Sequence, residues 1–162
     1  MPAFATGDYA KALTQAFLAV DAALKNEDYS TDTGTTSVVV LITPDKIFCA
    51  NAGDSRAVLW QSTNKTIALS EDHKPDNADE LKRIIKSGHI VEDSRVDGNL
   101  ALSRALGDYQ YKDASNLGAE EQVVTAHPDV TQRDRSKDDD FIIVACDGIW
   151  DCLSNEACCE KI

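Results

Sequence analysis

The chain has 162 residues, of which 43% are apolar and 27% charged, and it carries a formal net charge of -12. That length suits one domain able to bury roughly 68–70% of the surface its unfolded chain exposes. The composition is that of an ordinary globular protein, and no apolar run approaches the roughly 20 residues needed to cross a bilayer, so no membrane partner is expected. The acidic balance repels phosphates over most of the surface. It argues against nucleic acid as the main partner and suits cations or basic peptides. Met1 leads into Pro2 and a mixed polar and apolar pattern rather than a secretory leader. Five cysteines, an odd number with no C-x-x-C pair, do not make a disulfide framework. They predict a reducing compartment, cytoplasmic or nuclear. Cys49 and Cys146 lie in apolar runs and read as small core residues, whereas Cys152, Cys158 and Cys159 lack histidines at zinc spacing.

Apolar positions at Tyr9, Leu13, Phe17, Val20 and Leu24 are spaced by three and four and predict an amphipathic helix over residues 8–25, its stripe covered by a sheet. Asn26 to Thr36 is polar and small and reads as a loop entering a strand. Four strands follow, Ser37–Thr43, Ile47–Ala52, Arg56–Gln61 and Thr66–Leu69, separated by turns at Pro44-Asp45, Gly53-Asp54-Ser55 and Asn64. Their regular spacing predicts an antiparallel meander. Asn77 followed by Glu80 resembles a capping box opening a short helix with Leu81, Ile84 and Ile85 inward, ended by Gly88. His89–Val91 and Arg95–Val96 read as short strands, with Asp97-Gly98 as a hairpin turn. Residues 109–121 lack a period and predict an exposed loop or flap. Gln122–Thr125 and Asp129–Arg133 read as further strands, and the charged run Asp134–Asp140 turns the chain into Phe141–Cys146, a buried strand. Another helix starts near Ser154 and the chain stops at Ile162, as an excerpt would.

Three acids stand out. Asp147 ends the strand, Gly148 lets the backbone turn, and a helical turn would place Asp147 and Asp151 on one side as a cation cup. The plainer alternative makes Asp147 a solvated strand end and Asp151 a helix cap. Asp54 sits in the Gly53-Asp54-Ser55-Arg56 turn, either as a third ligand or as a turn former bonding its own backbone. Carboxylate oxygens with no neighbouring imidazole would select Mg²⁺ or Mn²⁺ over zinc. Arg56 and Arg104 flank these turns, and a guanidinium can grip phosphate with two parallel hydrogen bonds. His73, His89 and His127 are scattered and read as surface residues. A thiolate phosphatase loop from Cys49 to Arg56 fails on register, since six residues separate the two, and on the strand environment of Cys49. Neither a Walker A loop nor G-x-G-x-x-G is present.

Five segments in order resemble the metal-dependent Ser/Thr protein phosphatases of type 2C: Gly34-Thr35-Thr36; Ala50 to Arg56; Asp72-His73-Lys74-Pro75; Gly98 to Asp108; and Ala145 to Asp151. The resemblance implies an α+β fold, an antiparallel β-sandwich flanked by helices in α-β-β-α order, in a single domain over 1–162. It implies hydrolysis of phosphoserine and phosphothreonine in proteins by a water that two Mg²⁺ or Mn²⁺ ions activate. Asp147 matches a ligand of a catalytic metal. Asp54 and Asp151 match acids that help to hold a third. Tyr109 to Glu121 matches the variable flap, and Arg104 matches an arginine on the substrate side.

The family's early Asp-Gly-His-Gly-Gly motif, its earlier phosphate-gripping arginine and its late Asp-Asn motif are absent. The expectation is therefore a domain lacking the family's N-terminal and C-terminal segments, with no catalytic residue assignable and little or no activity. The alternative is a non-catalytic, phosphatase-like protein-binding module. The expected assembly is a monomer, or a pair formed through open sheet edges.

Overall fold

The computed structural model describes residues 2–27 and 33–162. Helices α1 (Pro2–Ala5) and α2 (Tyr9–Leu24) precede strands β1 (Gly34–Thr35), β2 (Ser37–Ile42), β3 (Lys46–Ala52), β4 (Arg56–Gln61) and β5 (Lys65–Ala68). Helix α3 (Ala78–Lys86) leads into β6 (Val91–Glu92), β7 (Arg95–Val96) and β8 (Leu106–Gly107), followed by a 3₁₀ turn at Tyr109–Tyr111. Strands β9 (Asp129–Asp134) and β10 (Asp139–Ala145) and helices α4 (Asp147–Trp150) and α5 (Asn155–Cys159) complete the order. Part of the loop expected over Asn26–Thr36 falls on residues 28–32, outside the described residues. Among the described residues no helix is long and apolar enough to cross a membrane.

Two three-stranded sheets, ordered β2-β3-β9 and β10-β4-β5, form the body, and every ladder within them is antiparallel. The four strands expected as one meander are thus split into two hairpins, one in each sheet, and the chain changes sheet at Gly53-Asp54-Ser55. Strand β3 shows why. It is the centre of its sheet and both of its faces are buried. Ala50 and Ala52 pack with Phe17 of α2, while Ile47 and Cys49 pack with Ala57, Leu59 and Leu69 across the gap between the sheets. On the far side, Val58 packs with Trp150, Cys158 and Cys159 of the α4 and α5 region. The layers therefore run α2, sheet, sheet, α4 with α5, which is the α-β-β-α order that the resemblance implied.

Several local expectations are corrected by packing. Asp8 caps α2 by accepting from the Lys11 N–H, and Phe17 is inward, but Val20 is exposed. In α3, Ile84 is buried and Ile85 exposed, because Glu80 takes an inward position instead of reaching back to cap the helix. The Asn77 side chain makes no cap and instead donates to the Asp72 carbonyl at 2.7 Å. The hairpin joining β6 to β7 turns at Asp93-Ser94, and Asp97-Gly98 turns the chain again so that Val96 meets Leu100. Gln122–Thr125 is buried but forms only a bridge between Thr125 and Arg104, not a strand. Strand β10 lies at the edge of its sheet and leaves Val144 50% exposed, and Cys146, which lies beyond the strand at the start of α4, is exposed rather than a core residue.

Leu59 sits at the contact between the two sheets, where its removal leaves a hole that neither sheet can close. Leu59→Ala is expected to lower stability by about 2–5 kcal/mol in urea unfolding, with an unchanged m-value.

Candidate functional site

The turn between β3 and β4 carries Asp54 and fixes the geometry around it. Gly53 has φ of +118°, and a Cβ there would lie 2.3 Å from Thr36 Cγ2, so the backbone path is open to glycine alone. Beside it, the Thr36 and Ser55 hydroxyls are 2.8 Å apart. Asn51 donates its amide to the carbonyls of Gly53 (2.9 Å) and Glu71 (2.8 Å), tying the turn to the segment that follows β5.

Three consecutive residues of that following segment grip the turn. Asp72 receives Arg56 in two parallel hydrogen bonds of 2.8 Å, from Nε to Oδ1 and from a terminal nitrogen to Oδ2. The His73 N–H donates to the Gly53 carbonyl at 3.0 Å, while the Gly53 N–H donates to His73 Nδ1 at 3.2 Å. With Nδ1 accepting, the neutral ring carries its proton on Nε2, which donates to Asp129 Oδ2 at 3.1 Å. Lys74 Nζ donates to Asp54 Oδ2 at 2.5 Å. His73 is therefore buried and structural, not a surface residue.

Arg56 extends the grip to the acids beyond β10. Its other terminal nitrogen donates to Asn155 Oδ1 at 2.7 Å, and its guanidinium lies 5.3 Å from the centre of the Trp150 ring. Trp150 in turn donates its indole N–H to the Ala145 carbonyl at 2.8 Å, folding α4 back onto the end of β10. Helix α4 begins at Asp147, and the Asp151 N–H donates to the Asp147 carbonyl at 2.8 Å. That four-residue closure places both carboxylates on one side of the turn, as the spacing predicted. Asp151 ends α4 and does not cap the next helix, which Ser154 does by accepting from the Ala157 N–H.

The electrostatics join these pieces. The hydrogen bonds that Arg56 donates to Asp72 chiefly raise its pKa, and the charges of Asp72 and Asp151 add to that against the cost of burial. Burial works against the Lys74 ammonium, but the hydrogen bond to Asp54 and the charges of Asp54, Asp151 and Asp72 outweigh it and hold its pKa above the usual lysine value. Asp54 is thus buried beside a cation, whereas Asp147 and Asp151 are exposed, and no described side chain hydrogen-bonds or ion-pairs with either. Among the described residues, no group of three or more His, Cys, Asp or Glu is arranged to hold a metal ion. The structure brings together two acids of the expected cup, not a complete site.

Arg104 belongs to a second network. It donates to both oxygens of buried Glu80 at 2.6–3.1 Å, to Asp129 Oδ1 at 2.6 Å and to the His127 carbonyl at 3.1 Å. Its side chain is 11% exposed. The guanidinium that the resemblance matches to a substrate-side arginine is engaged within the protein, where it ties α3 to the start of β9. Arg83 completes the network with Glu80 at 2.8 Å and the Ser103 carbonyl at 2.6 Å. Asp129 joins the two networks, with one oxygen on Arg104 and the other on His73. Burial pushes the Cys49 thiol up to about 11, which removes it as a thiolate nucleophile. At the base of the expected flap, Lys112 donates to Asp21 Oδ1 at 2.7 Å and Tyr109 to the Asp21 carbonyl at 2.5 Å.

Residues 2–162 match the family described as "Protein phosphatase 2C". "Protein phosphatase 2C homolog 2" of Aspergillus flavus is 49% identical over 161 residues, covering 98% of this chain and 37% of the relative. "Protein phosphatase 2C homolog 3" of Schizosaccharomyces pombe is 49% identical over 165 residues, covering 99% of this chain and 39% of the relative. A crystal structure of a phosphatase from a pathogenic strain of Toxoplasma gondii superposes with a TM-score of 0.68 at 31% identity, covering 83% of this chain and 57% of that one. The chain spans less than two-fifths of the length of these two curated relatives.

Hydrogen bonds from His73 and then Arg104 outweigh burial and drive the Asp129 carboxyl well below the usual carboxylate range. A depressed folded-state pKa contributes stability above the unfolded value of about 3.9, and that stability is lost as pH falls through the folded value. Asp129→Asn is expected to be less stable than wild type at neutral pH. The gap should narrow as pH falls below about 4, followed by urea midpoints across that range.

Proposed function

This chain belongs to the protein phosphatase 2C family, and from that premise we propose that it carries the central part of a metal-dependent protein serine/threonine phosphatase. The proposed substrates are phosphoproteins bearing phosphoserine or phosphothreonine. The observation that carries the reading is the pair Asp147 and Asp151, delivered to one side of α4 with no side-chain partner among the described residues. Their oxygen donors fit Mg²⁺ or Mn²⁺ in kind, with no imidazole beside them to favour zinc.

In this reading Asp147 holds a catalytic metal, and Asp151 with Asp54 serves a third. Bound metal ions supply an activated water for in-line attack and neutralise charge on the phosphoryl oxygens. The chain's own contribution is placement. Trp150 and Arg56 fix α4 at the end of β10, and the segment from Asp72 to Lys74 fixes the Asp54 turn. All five cysteines are free thiols, which supports a reducing intracellular setting, cytoplasmic or nuclear. The edge strands β2 and β10 expose Val39, Ile42 and Val144, surfaces that would suit pairing with further strands.

A second reading, a non-catalytic phosphatase-like binding module, is favoured by one observation: no three-donor metal group exists among the described residues. Calorimetric titration with Mn²⁺ separates the two. Micromolar binding lost in Asp147→Ala supports the phosphatase reading, and no binding at millimolar metal supports the module.

Because the sequence lacks Asp-Gly-His-Gly-Gly and the late Asp-Asn motif, the 162-residue chain with Mn²⁺ is expected to turn over p-nitrophenyl phosphate little or not at all. Turnover that Asp147→Asn abolishes would show instead that the residues present suffice.

A further inference from the structure

Asp54 already has a cation. Its carboxylate, in a residue only 6% exposed, is met by the Lys74 ammonium at 2.5 Å. Two positive side chains lie in the field of Asp72 and Asp151, and they are held very differently. Arg56 is fixed on three sides, by the two-pronged pair with Asp72, by Asn155 and by the face of Trp150. Among the described residues Lys74 Nζ has one hydrogen-bond partner, Asp54, and its side chain is 38% exposed. Its flexible stem lets the ammonium withdraw into water. The backbone would not have to move with it, because His73 and Gly53 bond each other in both directions and Pro75 is buried.

We infer that Lys74 is a resident counter-ion of Asp54 that a divalent cation must displace, so that Lys74 sets how readily such a cation reaches Asp54. The inference rests on the reading of Asp54 and Asp151 as cation-binding acids and adds a regulator to that site. With Lys74 in place, the buried Asp54 carboxylate is neutralised without a metal. An ammonium and a divalent ion within a few ångströms repel each other, so the two occupants exclude one another. The three residues of the Asp72-His73-Lys74 segment then play different parts. Asp72 and His73 hold the turn permanently, and Lys74 holds its acid until a stronger cation arrives.

The test is calorimetric titration of the whole chain with MnCl₂ at low ionic strength, with circular dichroism to confirm folding of each variant. Lys74→Gln is expected to bind Mn²⁺ about tenfold more tightly than wild type. Lys74→Arg keeps the charge and should not. Adding Asp54→Asn to Lys74→Gln should remove the gain. In the wild-type chain, saturating Mn²⁺ should raise acetylation of Lys74 by acetic anhydride several-fold relative to Lys46, a readout that needs no variant. Mn²⁺ affinity of Lys74→Gln within about twofold of wild type, or unchanged Lys74 acetylation, overturns the competition while leaving the metal reading intact if Asp147→Ala still loses binding. A gain that survives Asp54→Asn overturns it as well. Mn²⁺ binding indifferent to both Asp147→Ala and Asp151→Ala overturns the metal reading, and the competition falls with it.

Discussion

The forked pair between Arg56 and Asp72 is the contact on which the remaining geometry depends. Through Arg56 it links the first residue of β4 and the segment after β5 to α4 at Trp150 and to α5 at Asn155. Hydrogen bonds to charged groups contribute about 1.5–3 kcal/mol each, and the fork geometry adds direction to that energy. Lysine at position 56 could supply the charge but not the two parallel bonds or the flat face against indole. The acids at the end of β10 therefore owe their placement to a residue on the neighbouring strand, not to their own four-residue helix, which is far too short to be stable alone.

A second set of charges braces the first. Glu80 lies buried between Arg83 and Arg104, and Arg104 reaches Asp129, which also accepts a hydrogen bond from His73. Buried ion pairs of this kind are poor sources of net stability, because desolvation offsets attraction. Their value is specificity of arrangement: removing any one partner leaves another charge stranded, so α3, the Asp54 turn and the start of β9 must assemble in one register. In the pair from Lys74 to Asp54 it is the cation that reaches water and the acid that is buried, the reverse of the pair from Arg104 to Asp129, and on the inference above it is the point in the array where a charge is exchanged.

Much of this was legible in the sequence where the signal is local. Strand limits from Ser37 to Ala68, the helix from Tyr9 to Leu24, the left-handed Gly88 and the shared side of Asp147 and Asp151 all follow from periods and turn residues. The partition into two sheets did not, because β4 pairs with β10 from the far end of the chain and alternation alone cannot choose a partner. Glu80 shows the same limit: three residues after Asn77 it imitates a capping box, and only its distant arginines reveal a buried acid. Cys146 reads as core because an apolar run does not show where the strand ends, and the strand ends one residue before it. The pair between Asp54 and Lys74 spans two motifs that the family resemblance treats separately, and nothing in their spacing signals the contact.

The most direct measurement is a double-mutant cycle on Arg56 and Asp72, using Arg56→Met, Asp72→Asn and both together, read by urea unfolding. A fork that organises the site predicts a coupling of about 1.5 kcal/mol or more between the two changes. Additivity within about 0.5 kcal/mol would show that the two side chains contribute independently, and would contradict the claim that this contact holds the candidate site together.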